Sequence, residues 1–120
     1  MVVGVCRLSL HFADSSSLKA KRQRLRRIVE RCRSRFNAAV AEVADQDSWQ
    51  RATVGVSVVG NAEAHVHSML DGLLRFVEDL YLGQVLSTER EILHYSDDEE
   101  LDPGLEVEGF EGWEPEEIRR

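Results

Sequence analysis

From Val2 to Phe12 the chain sets Gly4, Cys6, Leu8, Leu10 and Phe12 against Val3, Val5, Arg7, Ser9 and His11. A period of two sustained over that length specifies a strand with the first set on its core face. Ser15-Ser16-Ser17 follows and supplies a capping hydroxyl, after which Leu18, Leu25, Ile28, Val29, Cys32 and Phe36 recur at helical spacing. Val40 to Val43 reads as a short strand, and Arg51 to Val59 as a longer one with Val54, Val56 and Val58 facing inward. Gly60-Asn61 breaks that strand, with Asn61 expected to cap a second helix that buries Val66, Met69, Leu70, Leu73, Val77, Leu80 and Tyr81. Gly83 is expected to end this helix, and Val85 to Tyr95 forms a last strand with Leu86 and Ile92 inward.

The order β-α-β-β-α-β contains two split βαβ units. With right-handed crossovers these give an α+β, ferredoxin-like sandwich, in which a four-stranded sheet carries two helices on one face. The domain is expected over residues 1–96. Residues 97–120 hold both prolines and no apolar period, and are expected to form a disordered acidic tail.

Charge divides along the chain in the same place. Nine of the seventeen residues from Lys19 to Arg35 are Lys or Arg, opposed only by Glu30. The tail has eleven Asp or Glu against two Arg, so its charge of about −9 leaves about +2 on the remainder of a chain whose net charge is −7. Clustered cations attract phosphates and acidic blocks repel or mimic them, so a nucleic acid is the partner class this pattern favours.

No apolar run approaches the roughly 18 residues that cross a bilayer. The stretch from Met1 to Arg7 is too short for a signal-peptide core, so a cytoplasmic protein without a membrane partner is expected. Cys6 and Cys32 both fall on inward positions and are expected to be free core thiols in a reducing compartment.

Several stretches carry a family resemblance over about residues 1–95. Met1-Val2-Val3-Gly4-Val5-Cys6-Arg7-Leu8, Ser17-Leu18-Lys19-Ala20-Lys21-Arg22 and Arg35-Phe36-Asn37-Ala38-Ala39-Val40-Ala41-Glu42-Val43 resemble the YlxP-like family of small bacterial proteins. So do Asp47-Ser48-Trp49-Gln50-Arg51-Ala52, Gly55-Val56-Ser57-Val58-Val59-Gly60-Asn61 and Glu89-Arg90-Glu91-Ile92-Leu93. The resemblance implies a ferredoxin-like fold and no settled activity. It also implies a role near ribosomes, since members are often encoded beside translation-initiation factors and ribosome-binding factor A. The acidic tail lies outside the family pattern.

On the first helix, Lys19, Arg22, Arg26 and Arg33 fall along one flank of the apolar stripe and Arg24, Arg27, Arg31 and Arg35 along the other. Their stems can cover the seam between helix and sheet with the heads in water. Alternatively they hold RNA phosphates, because so many like charges on one helix repel each other at a cost solubility alone does not demand. The candidate nucleic-acid-binding residues are therefore Lys19, Arg22, Arg26, Arg33, Arg24, Arg27 and Arg31, with rRNA or a ribosomal subunit as the expected partner. The tail is expected to contact the same helix and compete with phosphate.

The open face of the sheet shares its fold with RNA-recognition modules but offers no aromatic on its middle strands to stack a base. A solvated surface or a homodimer contact is expected there, with Glu89 or Glu91 pairing Arg7. Trp49 is expected either to lie as a lid over the sheet edge or, if exposed, to act with Arg51 as a partner-binding anchor. Asp45 and Asp47 are too few for a cation site. The histidines do not assemble, since His65 and His67 are two apart on a helix while His11 and His94 sit at opposite ends of neighbouring strands. No nucleophile-base pair or phosphate-cradling glycine loop is present in the sequence. No catalytic residue, metal or cofactor is expected, and the alternative to RNA binding is a protein adaptor or homodimerising module.

Overall fold

The computed structural model describes residues 1–96; the disorder expected of residues 97–120 lies outside the described residues. The elements are β1 (Val2–His11), α1 (Leu18–Arg35), β2 (Ala39–Ala44), β3 (Arg51–Gly60), α2 (Glu63–Leu80) and β4 (Gln84–His94). The strands form one sheet in the order β2-β3-β1-β4, with every neighbouring pair antiparallel. Both helices pack on one face, and the ferredoxin-like arrangement expected from the periodicity is the one observed.

Alternation in β1 does what its spacing requires. Val2, Cys6, Leu8 and Leu10 are buried, and the register sets Cys6 against Val56 and Leu8 against Val54 of β3. Leu25, Ile28 and Cys32 of α1 close over them, with Val66, Leu70, Leu73 and Val77 of α2 beside. Each large aliphatic side chain so buried contributes about 1.5–3 kcal/mol relative to leaving it in water. Cys6 and Cys32 are buried free thiols. Burial pushes Cys32 up to about 11, and raises Cys6 against the opposing pull of nearby Arg90.

Ser17 caps α1 as expected, its hydroxyl accepting from the Ala20 N–H at 3.1 Å. Four expectations need correction. Asn61 does not cap α2: Ala62 occupies that position without a side-chain hydrogen bond, and Glu63 in the first turn faces the positive end of the helix dipole instead. Gly83 does not end α2 either. The stop is Tyr81, whose φ of 53° is left-handed and turns its ring 87% into solvent rather than into the core. Gly83 is there because a Cβ would lie 2.7 Å from the buried Phe12 ring. Finally, a bulge between Ser9 and Leu10 pairs Leu10 with Val85 and Ser9 with Ser87. The extra residue, Leu86, turns outward, and Val85 packs on the core in its place.

Gly4 fixes how closely α2 approaches the sheet. A Cβ there would overlap Val66 Cγ1 and lie 3.0 Å from Leu70 Cδ1. Gly4→Ala should therefore destabilise the domain by about 1–3 kcal/mol. Urea unfolding, with an unchanged slope and a lower midpoint, checks it.

Candidate functional site at the start of the first helix

Lys21 stands apart from the other cations of α1. It follows the spacing of the core stripe, four residues before Leu25, seven before Ile28 and eleven before Cys32, and its side chain has no solvent exposure. Its ammonium donates to the carbonyls of Asp45 at 2.8 Å, Gln46 at 3.3 Å and Arg51 at 3.1 Å. Three donors meet three acceptors, so the group is satisfied. Glu42 Oε2, buried and without a hydrogen bond, stands 3.7 Å away as its counter-charge. The loop joining β2 to β3 is thereby seated on the first turn of α1.

That loop is held at several further points. Asp45 takes the left-handed conformation at φ 64°, and its Oδ2 accepts from the Thr53 hydroxyl at 2.6 Å. Ser48 N–H donates to the Asp45 carbonyl and Arg51 N–H to the Ser48 hydroxyl, each at 3.1 Å. Gln50 is tied through its carbonyl to Phe12 N–H at 2.7 Å and through its amide to the Ala13 carbonyl at 3.2 Å. Trp49 sits between these anchors and is 59% exposed. It is not a lid over the sheet edge. Arg51 is exposed as well.

The remaining cations of α1 separate by what they touch. Arg33 donates through Nε and one terminal nitrogen to the Val40 carbonyl at 2.9 and 2.6 Å, so its flank faces β2. Arg24 forms a two-point pair with Asp14 at 2.5 and 3.0 Å. Arg35 lies over the Phe76 ring, 5.1 Å from its centre, so the other flank faces α2. Arg24 and Arg33 thus have internal partners. Lys19, Arg22 and Arg26 on the β2 side, with Arg27 and Arg31 on the α2 side, are exposed and have no such partner among the described residues. Lys19, Arg22, Gln23 and Arg26 border a shallow hollow of about 250 Å³.

On the open face Arg7 meets Glu89 through two contacts at 2.8 and 2.7 Å, as their register requires. A groove of about 830 Å³ crosses this face beside Val5, Ala41, Gly55, Ser57 and Glu91. Two of the four histidines, His67 and His94, share a partner in Glu63. Glu63 contacts both His67 and His94, at 3.6 and 2.9 Å, and Arg90 joins His67 Nδ1 at 2.9 Å to Asp71 at 2.8 Å. Antiparallel β4 brings His94 level with the start of α2, a juxtaposition absent from either local sequence. Since a guanidinium only donates, His67 Nδ1 accepts from Arg90 and the ring proton resides on Nε2. No group of three or more metal-ligating side chains occurs among the described residues, and no helix there is long and apolar enough to cross a membrane.

The molecule at this point is a ferredoxin-like sandwich with an exposed cationic row on α1 and an exposed indole on the loop that Lys21 holds. Residues 3–90 match the family described as "Protein of unknown function (DUF503)", and the chain belongs to that family. It is 31% identical over 77 residues to "Uncharacterized protein YlxP" of Bacillus subtilis (strain 168), a match covering 64% of this chain and 84% of that protein. Among solved structures, a putative antibiotic biosynthesis monooxygenase from Deinococcus radiodurans aligns with a TM-score of 0.47 at 18% identity, over 85% of this chain and 99% of that one. A de novo designed ferredoxin-fold protein, LFR1 1, aligns with a TM-score of 0.47 at 14% identity, over 85% of this chain and 94% of that one. These likenesses concern the fold alone.

Two outcomes are expected. Lys21→Met keeps the side-chain volume but leaves three carbonyls and Glu42 without their cation, and should cost about 3–5 kcal/mol in denaturant unfolding. The Arg24 guanidinium holds the Asp14 carboxyl down to about 2 from its ordinary value of 3.8. A folded value below the unfolded one makes the pair's contribution present above the ordinary carboxylate range and lost as pH falls towards 2. Carboxyl NMR titration should show that low value, returning to the ordinary range in Arg24→Gln.

Proposed function

We propose that this protein is a non-catalytic accessory protein that binds RNA, the phosphates lying along Lys19, Arg22 and Arg26 on the β2-facing side of α1. One observation carries this reading: the three cations stand in a row at spacings of three, four and seven, exposed and without an acidic partner among the described residues. Like charges at such spacings repel by about 0.2–0.5 kcal/mol per pair. A polyanion turns that repulsion into attraction by displacing the counterions the row collects. Arg24 and Arg33 play structural parts and are set aside. Ribosomal subunits are the first RNA to test, following what the family resemblance implies about gene neighbourhood.

Charge reversal of Lys19, Arg22 and Arg26 to Glu should weaken RNA binding at least about tenfold at low salt. The slope of log affinity against log salt should fall by about 2, as expected for three lost phosphate contacts on a single strand. Co-sedimentation with ribosomal subunits and filter binding over a salt series check this. Unchanged sedimentation at low salt would contradict it.

The eleven carboxylates of residues 97–120 are tethered to the same molecule and compete for the row at high effective concentration. Removing residues 97–120 should tighten non-specific RNA binding, with the gain shrinking as salt rises.

A second reading has its own observation. Val3 pairs with Val59 on one side and Leu93 on the other, giving an apolar row across three strands of the open face, with Val59 55% and Leu93 44% exposed. Such a row suits a second copy of the chain packed face to face. A strict monomer by light scattering at high micromolar concentration would dismiss it.

A further inference from the structure

The geometry points to unpaired nucleotides as the feature recognised at this corner, with a base stacked on Trp49 and the adjoining phosphates on Lys19, Arg22 and Arg26. The inference rests on the phosphate-binding reading of α1 and adds the class of nucleic acid to it.

The loop that carries Trp49 is held against the turn of α1 where the cationic row begins. The bond from Arg33 to Val40 shows that the flank carrying Lys19, Arg22 and Arg26 looks toward β2. β2 leaves that bond and runs back along α1, so its far end reaches the start of the helix. There the Asp45 and Gln46 carbonyls rest on Lys21, immediately before Arg22. Trp49 follows three residues after Gln46, and Arg51 adds a further exposed cation two residues on.

The backbone that carries the indole is also anchored. Neighbours on both sides are fixed by backbone hydrogen bonds, by Thr53 on Asp45, and by the buried ammonium beneath. An exposed tryptophan on an anchored loop loses little conformational freedom when a flat partner covers it, so most of the stacking energy is retained. Bases inside a duplex already stack on each other and offer no free face, whereas an unpaired base does. The loop's two carboxylates, Asp45 held by the Thr53 hydroxyl and Asp47, both stay negative and stand against the four cations Lys19, Arg22, Arg26 and Arg51.

Tyr81 provides an internal contrast. It is 87% exposed near the same end of the molecule, but Glu78 and Asp79 stand three and two residues before it. Arg24 and Arg27 line the hollow beside Tyr81, but Arg24 is paired with Asp14 and Glu78 lines it with Arg27, so a phosphate meets no row of unpaired cations there.

The test uses the full chain with Trp113→Phe, which leaves Trp49 as its only tryptophan. The probes are a twelve-nucleotide oligouridylate, a twelve-base-pair RNA duplex and polyglutamate. Oligouridylate should quench Trp49 fluorescence substantially, and the duplex and polyglutamate should not. Trp49→Ala should weaken oligouridylate binding about 5- to 50-fold with the salt slope unchanged, and Trp49→Phe should restore most of it. Tyr81→Ala should leave affinity within twofold. The inference is overturned if Trp49→Ala changes oligouridylate affinity by less than twofold or weakens duplex binding equally. Stronger quenching by polyglutamate than by oligouridylate overturns it in favour of an acidic protein partner. If Trp49→Ala is silent while charge reversal of Lys19, Arg22 and Arg26 still abolishes binding, only the stacking fails. If the charge reversal is silent too, the RNA reading falls with it.

Discussion

The ammonium of Lys21 has no contact with water and links two parts of the chain that are remote in sequence, the first turn of α1 and the loop after β2. Removing a charge from water costs several kcal/mol, and a single counter-ion 3.7 Å away offsets only part of that. The three carbonyls supply the rest, because hydrogen bonds to a charged donor are worth about 1.5–3 kcal/mol each. Two of those carbonyls belong to the turn after β2 and the third to the first residue of β3, all beyond the last β2–β3 pair, Ala44 with Thr53. The ammonium and the loop therefore solve each other's burial problem. Such a centre is tolerant of little change and fixes the loop in one position.

From that fixed position follows the layout of the corner. With Lys21 inward, Arg22 and Lys19 are placed outward by helical geometry alone, and the loop that Lys21 anchors carries the exposed Trp49. Arg33, eleven residues after Arg22, ties the far end of the same flank to Val40, so β2 runs antiparallel alongside the helix. Positive charge on α1 is thus of three kinds: one buried group that builds the loop, three guanidinium groups held by Asp14, Phe76 and Val40, and an exposed remainder. Only the remainder is exposed and without an internal partner among the described residues.

Much of the fold was legible because the core of this chain is built from strong periodicities. The alternation in β1 and β3 and the stripes of α1 and α2 each bury the residues they should. The misses have local causes. Leu86 was displaced by a bulge, which a pattern of twos cannot foresee, and Tyr81 by a left-handed stop at a residue other than glycine. Lys21 is the instructive case. Its position in the stripe of Leu25, Ile28 and Cys32 was available from spacing, but among nine cations its burial looked like one more solvated charge. A lysine at an inward helical position, in a chain with a long polar loop to satisfy, is a signal worth weighing against its charge. The meeting of Glu63, His67, His94 and Arg90 depended on the register of β4 and had no local trace.

The central claim is that RNA meets this protein at the corner formed by α1 and the loop after β2, and not on the open sheet. Amide chemical-shift mapping of the isotope-labelled full chain during titration with oligouridylate tests that claim most directly. The account predicts shifts concentrated at Lys19 to Arg26 and Gln46 to Arg51, with Val3, Ser57 and Glu91 on the open face unmoved. Shifts centred on Val3, Ser57 and Glu91, with the α1 corner silent, would contradict it.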